Sequence, residues 1–220
     1  MNHYHLSVRR SARLVTIGEM SAAVRDVWIV CHGYGQLARF FARPFVALER
    51  ADRLIVAPEA LNKYYLESAP QLRGAEARVG ATWMTKEDRE TEIADYVAYL
   101  DQAADWALDA TDRAAVRLTV LGFSQAVATV TRWITLGRTR PDRLVLWAGE
   151  LANDLDHARL ATILEGVEVV LVAGDADPYA TPERVDAAAT MLRKLTDRVE
   201  VISFSGAHVL DAQTLESLAR

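Results

Sequence analysis

Cysteine is almost absent: the single Cys31 among 220 residues excludes an internal disulfide, and it ends the apolar run DVWIVC, where a buried thiol behaves as a small hydrophobe. No run of Lys or Arg occurs either. The 25 basic residues stand against 30 acidic ones, a net charge of −5, which argues against a sequence-independent grip on nucleic acid phosphates. The opening stretch MNHYHLSVRRSARLVTIGEM lacks the apolar core of about 7 to 15 residues that a signal peptide carries. No segment approaches roughly 18 uninterrupted apolar residues, and no basic amphipathic helix or lipidation signal is present. These absences predict a soluble, cytoplasmic protein that binds no nucleic acid and has no stable membrane insertion.

What is abundant is apolar sequence, 51% of the chain, enough to bury one sizeable core in a single domain spanning residues 1–220. Short continuous apolar runs appear at DVWIVCHG, RLIVAPE, RLTVLGFS, RLVLWAGE, VEVVLVAGD and VEVISFSGAH. Runs rich in Val, Ile and Leu without alternation are the pattern of strands buried on both faces of a parallel sheet. Between them lie segments of helical period, at about 36–49, 87–108, 124–137, 156–165 and 181–196, with a last one from about 209. Alternating strands and helices predict an α/β domain with a mostly parallel, doubly wound sheet. YHLSV and ARLVTIG, joined by Arg9-Arg10-Ser11, read as an N-terminal antiparallel hairpin. Residues 58–85 resist the alternation and are read as a long excursion that walls a pocket, against the plainer reading that Tyr64, Tyr65 and Trp83 fill core space.

An open α/β sheet binds ligands beyond the carboxyl ends of its strands, so the informative residues are those just after each run. They are His32-Gly33-Tyr34-Gly35-Gln36, Gly122-Phe123-Ser124-Gln125-Ala126, Gly174-Asp175-Ala176-Asp177-Pro178 and Gly206-Ala207-His208. Serine, acid and base fall on one rim in the order Ser, Asp, His. Taken alone, Ser124 serves equally well as a helix N-cap, a position that favours serine for its hydrogen bonding. Asp175, Asp177 and Glu150 all compete for the acid. His3, His5 and His157 read as surface residues.

With HGYGQ, GFSQA, GDADP and GAH in place, the chain resembles the α/β-hydrolases, and among them the phospholipase/carboxylesterase group related to acyl-protein thioesterases. The resemblance runs from about residue 27 onward, and GATWM fits it as well. It implies a sheet of eight strands or a near variant, and hydrolysis of carboxylic esters or thioesters with no metal or organic cofactor. It places the catalytic acid at Asp177, beside Ser124 and His208, with Asp175 bracing its turn. It implies an oxyanion hole of the Tyr34 and Gln125 backbone N–H groups, supported by His32, Gly33 and Gly35. Trp83, Glu150 and Tyr179 are candidate pocket residues, and a homodimer is the implied assembly. The expected partner is a small-molecule acyl ester, with thioester, peptide or acyl-transfer chemistry as alternatives on the same triad. A hydrolase-fold protein that only binds a ligand or partner is the alternative from another class. Lys63, Arg73, Arg78 and Lys86 read as solvated charges rather than selectors of anionic substrates. One departure stands out: Ala126 occupies the last position of GxSxG, where only a small side chain fits between strand and helix.

Overall fold

The computed structural model describes residues 1–67 and 77–220. Its main sheet has seven strands in the order β1-β3-β2-β6-β7-β8-β9: β1 (Leu14–Ile17), β3 (Arg53–Pro58), β2 (Asp26–Cys31), β6 (Arg117–Phe123), β7 (Arg143–Trp147), β8 (Glu168–Gly174) and β9 (Val199–Phe204). All neighbours are parallel except β1, which runs antiparallel to β3. Six α-helices, α1 (Ala38–Phe41), α2 (Arg89–Leu108), α3 (Gln125–Leu136), α4 (His157–Ile163), α5 (Pro182–Leu192) and α6 (Ala212–Leu218), are described, with a 3-10 helix at Arg43–Leu48.

The continuous apolar runs are explained by burial on both faces. In β2, Val27, Ile29 and Cys31 enter the core beneath α2, α3 and α4, while Trp28 and Val30 enter the one beneath α1, the 3-10 helix and α6. Cys31 is fully buried and burial pushes its thiol pKa far up, so it stays protonated and inert. The C-terminal end of α3 is held by Asp101 of α2, whose buried carboxylate accepts from Trp133 Nε1 at 2.9 Å, Arg138 N at 2.9 Å and Thr139 Oγ1 at 2.8 Å. That anchor fixes the helix following Ser124.

One expectation is corrected. The N-terminal hairpin does not form: residues 4–8 make no strand, and Tyr4, Leu6 and Val8 are 80% or more exposed. The antiparallel partner of β1 is β3, with Leu14 opposite Pro58 and Ile17 opposite Ile55. Alternation in the first segment has no second surface to bury its apolar face, whereas β3 offers a fully buried strand. The excursion at 58–85, of which 68–76 lie outside the described residues, contains its own two-stranded antiparallel sheet, β4 (Asn62–Tyr65) with β5 (Val79–Thr82). A Gln36–Ala81 bridge joins this arm to the loop after β2.

Candidate active site

The site begins with a strained turn. Gly122 closes β6 against α3 so tightly that a Cβ there would sit 2.5 Å from the Ala126 carbonyl oxygen. Ser124 takes φ 56° and ψ −119°, a region that non-glycine residues visit at a cost of about 1–3 kcal/mol. The strain is held from outside, since Ser124 N donates to Trp147 O at 2.8 Å on the neighbouring strand. Gly149, just after β7, makes room for this geometry: a Cβ on it would lie 2.2 Å from Ser124 O. Ala126 is completely buried at the strand–helix contact, which explains why only a small residue is accepted there.

Although Ser124 stands at the N-cap of α3, its side chain caps nothing. Its Oγ lies 2.9 Å from His208 Nε2, and His208 Nδ1 lies 2.7 Å from Asp177 Oδ2. The other oxygen, Asp177 Oδ1, accepts from the N–H groups of Tyr179 at 2.8 Å and Ala180 at 3.0 Å. Burial by itself would raise the Asp177 pKa; the Ala180 and Tyr179 N–H groups and His208 outweigh it and hold the carboxyl below its usual range. An ionised carboxylate only accepts, so Nδ1 carries the imidazole proton and Nε2 is left as the acceptor for the serine hydroxyl. The ring is clamped between Phe123, centroids 5.0 Å apart, and Tyr179 at 4.9 Å.

The loop after β2 lies directly beside this turn, since a Cβ on Gly33 would sit 3.1 Å from Ser124 Cβ. Among the described residues, neither the Tyr34 N–H nor the Gln125 N–H has an acceptor, so both remain free to meet a ligand. His32 is fully buried: its Nδ1 donates to Gly33 O at 2.8 Å and its Nε2 accepts from Ala60 N at 3.0 Å. Gly33 N donates to Gln36 Oε1 at 2.8 Å, and Gly35, at φ +73°, takes the left-handed conformation that glycine adopts without penalty. The arm grips the same loop through Gly35 N to Ala81 O at 2.9 Å and Ala81 N to Gln36 O at 3.1 Å.

Burial lowers the His32 pKa against opposing contributions from Gly33 O and Glu59. The folded state therefore binds this proton less well than the unfolded chain, and stability falls as pH drops below about 6.5 toward the folded-state pKa. Urea midpoints measured at pH 7.5 and 5.5 are expected to drop more in the wild type than in His32→Gln; equal drops would show that His32 carries no such linkage.

His208 borders a cleft of about 720 Å³ whose apolar walls include Leu37, Phe41, Leu66, Val79, Phe123 and Leu210. The candidate pocket residues fall elsewhere. Trp83 is 1% exposed and donates its Nε1 to His32 O at 2.7 Å, bracing the loop from the core. Glu150 is exposed and paired with Arg184 at 2.7 Å. Tyr179 touches His208 but is not a cleft wall. Asp175 accepts from Gly206 N at 3.0 Å, tying the acid turn to the histidine turn. Of the four charges, Lys63 pairs with Glu59 at 3.3 Å and Arg78 with Glu67 at 2.7 Å; Arg78 also lines the cleft, and Arg73 lies outside the described residues. His3 and His157 are exposed, and His5 meets Asp88 at 2.9 Å.

Several contributors gave no signal of their role in the sequence. Gly149 stands in the run LVLWAGE as an ordinary strand end, and the cleft walls Leu37 and Phe41 read as core of a helical segment. Thr82 and Met84 of the GATWM stretch hold the Gln125 side chain, which donates from Nε2 to Thr82 Oγ1 at 2.8 Å and to Met84 O at 3.3 Å.

No protein-family model matches the chain, and no curated protein matches it in sequence. Solved structures do match. Acyl-protein thioesterase 2 of Zea mays is 15% identical with a TM-score of 0.69, over 95% of this chain and 96% of that one. The esterase PE8 is 18% identical with a TM-score of 0.65, over 96% and 97%. A phospholipase/carboxylesterase of Dyadobacter fermentans is 14% identical with a TM-score of 0.66, over 97% of both chains. At these identities the likeness is one of fold, and the fold is that of the α/β-hydrolases.

Proposed function

We propose that this protein is a serine hydrolase that cleaves carboxylic esters through an acyl enzyme on Ser124. The observation that carries the reading is the hydrogen-bonded chain from Ser124 Oγ through His208 to Asp177, opening on an apolar cleft. Bound there, an ester carbonyl carbon is attacked by Ser124 Oγ while His208 Nε2 takes the hydroxyl proton. Asp177 holds the proper tautomer and stabilises the imidazolium. The tetrahedral oxyanion is met by the Tyr34 and Gln125 N–H groups; one such donor contributes about 2.7–4 kcal/mol in other hydrolases. Collapse expels the alcohol, which takes the proton from Nε2. Water, deprotonated by the same nitrogen, then attacks the acyl enzyme and frees Ser124 and the acid. A thioester would follow the same two steps with a thiol as leaving group, the bond that the similar maize structure's name points to.

A fluorophosphonate probe is expected to label the protein once, with the adduct mapped to Ser124, and to leave His208→Ala unlabelled. Labelling at another residue, or equal labelling of the His208 variant, would overturn the assignment. Rates on p-nitrophenyl esters from acetate to palmitate, set beside acyl-thioesters, then measure which acyl group and which bond the cleft prefers.

A further inference from the structure

At the end of the sheet opposite the triad, six arginines converge on one cavity. Arg25, Arg50, Arg53, Arg117, Arg143 and Arg220 line a space of about 210 Å³ together with only two carboxylates, Asp26 and Asp52. Among the lining side chains the arginines outnumber the carboxylates by four, with Glu168 meeting Arg117 and Arg143 from beside the cavity, in a chain whose net charge is −5. The convergence follows from register: Asp26 on β2 lies opposite Arg53 on β3 and Arg117 on β6, and Thr119 lies opposite Arg143 on β7. The seven steps from Arg117 to Ser124, at about 3.3 Å each, set this cavity on the order of 20 Å from the proposed nucleophile.

Part of the cluster has a plain structural role. Arg53 donates to Asp26 Oδ2 at 2.6 Å and to Ala219 O at 2.6 Å, and Arg143 donates to Leu218 O at 2.5 Å, which satisfies the end of α6. Capping does not account for everything. Arg143 Nε is buried without a hydrogen-bond partner, 3.6 Å from the nearest oxygen of Glu168. That one carboxylate is also shared with Arg117 and Arg198. Thr119, 1% exposed, lines the cavity beside Arg143. Burial, and then repulsion from Arg117, lower the Arg143 pKa. A buried donor left without an acceptor keeps its desolvation cost, and Arg143 Nε lies beside a space rich in positive charge, a cost that a bound anion offsets.

We infer that this cavity is a second, non-catalytic site, which takes a phosphate-type oxyanion. A tetrahedral oxyanion presents several acceptors to guanidinium forks and offsets the positive charge of the arginines that line the cavity. The volume suits a free phosphate or the phosphoryl end of a small molecule. The inference stands apart from the hydrolase reading, because the two sites share no residue.

Calorimetric titration of the whole protein at low ionic strength, where exposed charge is least screened, with inorganic phosphate and separately with glycerol 3-phosphate, is the test. Saturable binding of one anion per chain is expected, weakened about tenfold in Arg143→Gln and about threefold in Arg25→Gln and Thr119→Val. It should be unchanged in Arg39→Gln, at the cleft. Tighter binding of phosphate marks a site for the free ion, and tighter binding of glycerol 3-phosphate a site for a phosphoryl end. Should Arg143→Gln fail to fold, the exposed Arg25 and the isosteric Thr119→Val carry the test. No saturation with either anion, or equal affinities in wild type and all these variants, would overturn the inference.

Discussion

Ser124→Ala is expected to hydrolyse p-nitrophenyl acetate about 10⁶-fold more slowly than the wild type, Asp177→Asn about 10⁴-fold more slowly, and the double variant no more slowly than Ser124→Ala alone. The ordering follows from the geometry. Ser124 Oγ is the atom aligned with His208 Nε2 at 2.9 Å, and in the proposed mechanism its removal takes away the bond-forming step itself. In that mechanism Asp177 acts only through His208. Its Oδ1 is occupied by the Tyr179 and Ala180 N–H groups, which leaves Oδ2 as the single acceptor for Nδ1–H. An asparagine fits the same space with an amide group facing the imidazole, and its N–H₂ facing Nδ1 would stabilise the other tautomer, with the proton on Nε2 and no acceptor for the serine. If the three groups work as the proposed unit, their losses do not add. Steady-state rates on the three variants check this. A Ser124→Ala enzyme as fast as wild type would end the esterase reading, and an additive double variant would separate Asp177 from the triad.

The second large effect concerns stability. Gly149→Ala is expected to destabilise the fold by on the order of 3 kcal/mol, at the upper end of ordinary overpacking, and to lower the melting temperature by roughly 10 °C for a chain of this size. The added Cβ would meet Ser124 O at 2.2 Å and Val127 Cγ2 at 2.6 Å. The carbonyl cannot swing away without losing Val127 N to Ser124 O at 2.9 Å, the first hydrogen bond of α3. Activity should fall as well, because the displaced atom belongs to the backbone of Ser124, the proposed nucleophile. Gly166→Ala is the control: its φ is +75° but nothing lies within 4 Å of the new Cβ, so only backbone strain of about 1 kcal/mol is expected. Thermal unfolding of both variants checks the contrast. Equal shifts would mean that the close approach at Gly149 carries no special weight.

The parallel strands and their order of appearance were legible in the sequence because a strand buried on both faces must be apolar throughout, a local property that DVWIVC or RLTVLGF displays without any partner. The rim of turns was legible for the same reason, since strand ends can be read from where those runs stop. The N-terminal segment misled because alternation states only that one face is apolar, not what will cover it; β1 found β3, and Tyr4, Leu6 and Val8 found nothing. Trp83 and Glu150 misled in a related way. An aromatic residue or an acid near the rim is as readily a buried brace or an exposed ion pair, and Trp83 to His32 O and Glu150 to Arg184 are contacts between segments far apart in the chain.

By itself the sequence determined the α/β alternation, the residue types at four strand ends and the small residues at Gly122 and Ala126, because each depends on burial or steric room within a few residues. Only the tertiary structure decided that Ser124 leaves its capping role to face His208, that Gly149 admits the strained turn, which side chains wall the cleft, and that arginines dispersed over the chain meet at the far end of the sheet. Those outcomes depend on register between strands and on distances across the fold, and neither is written in the local order of residues.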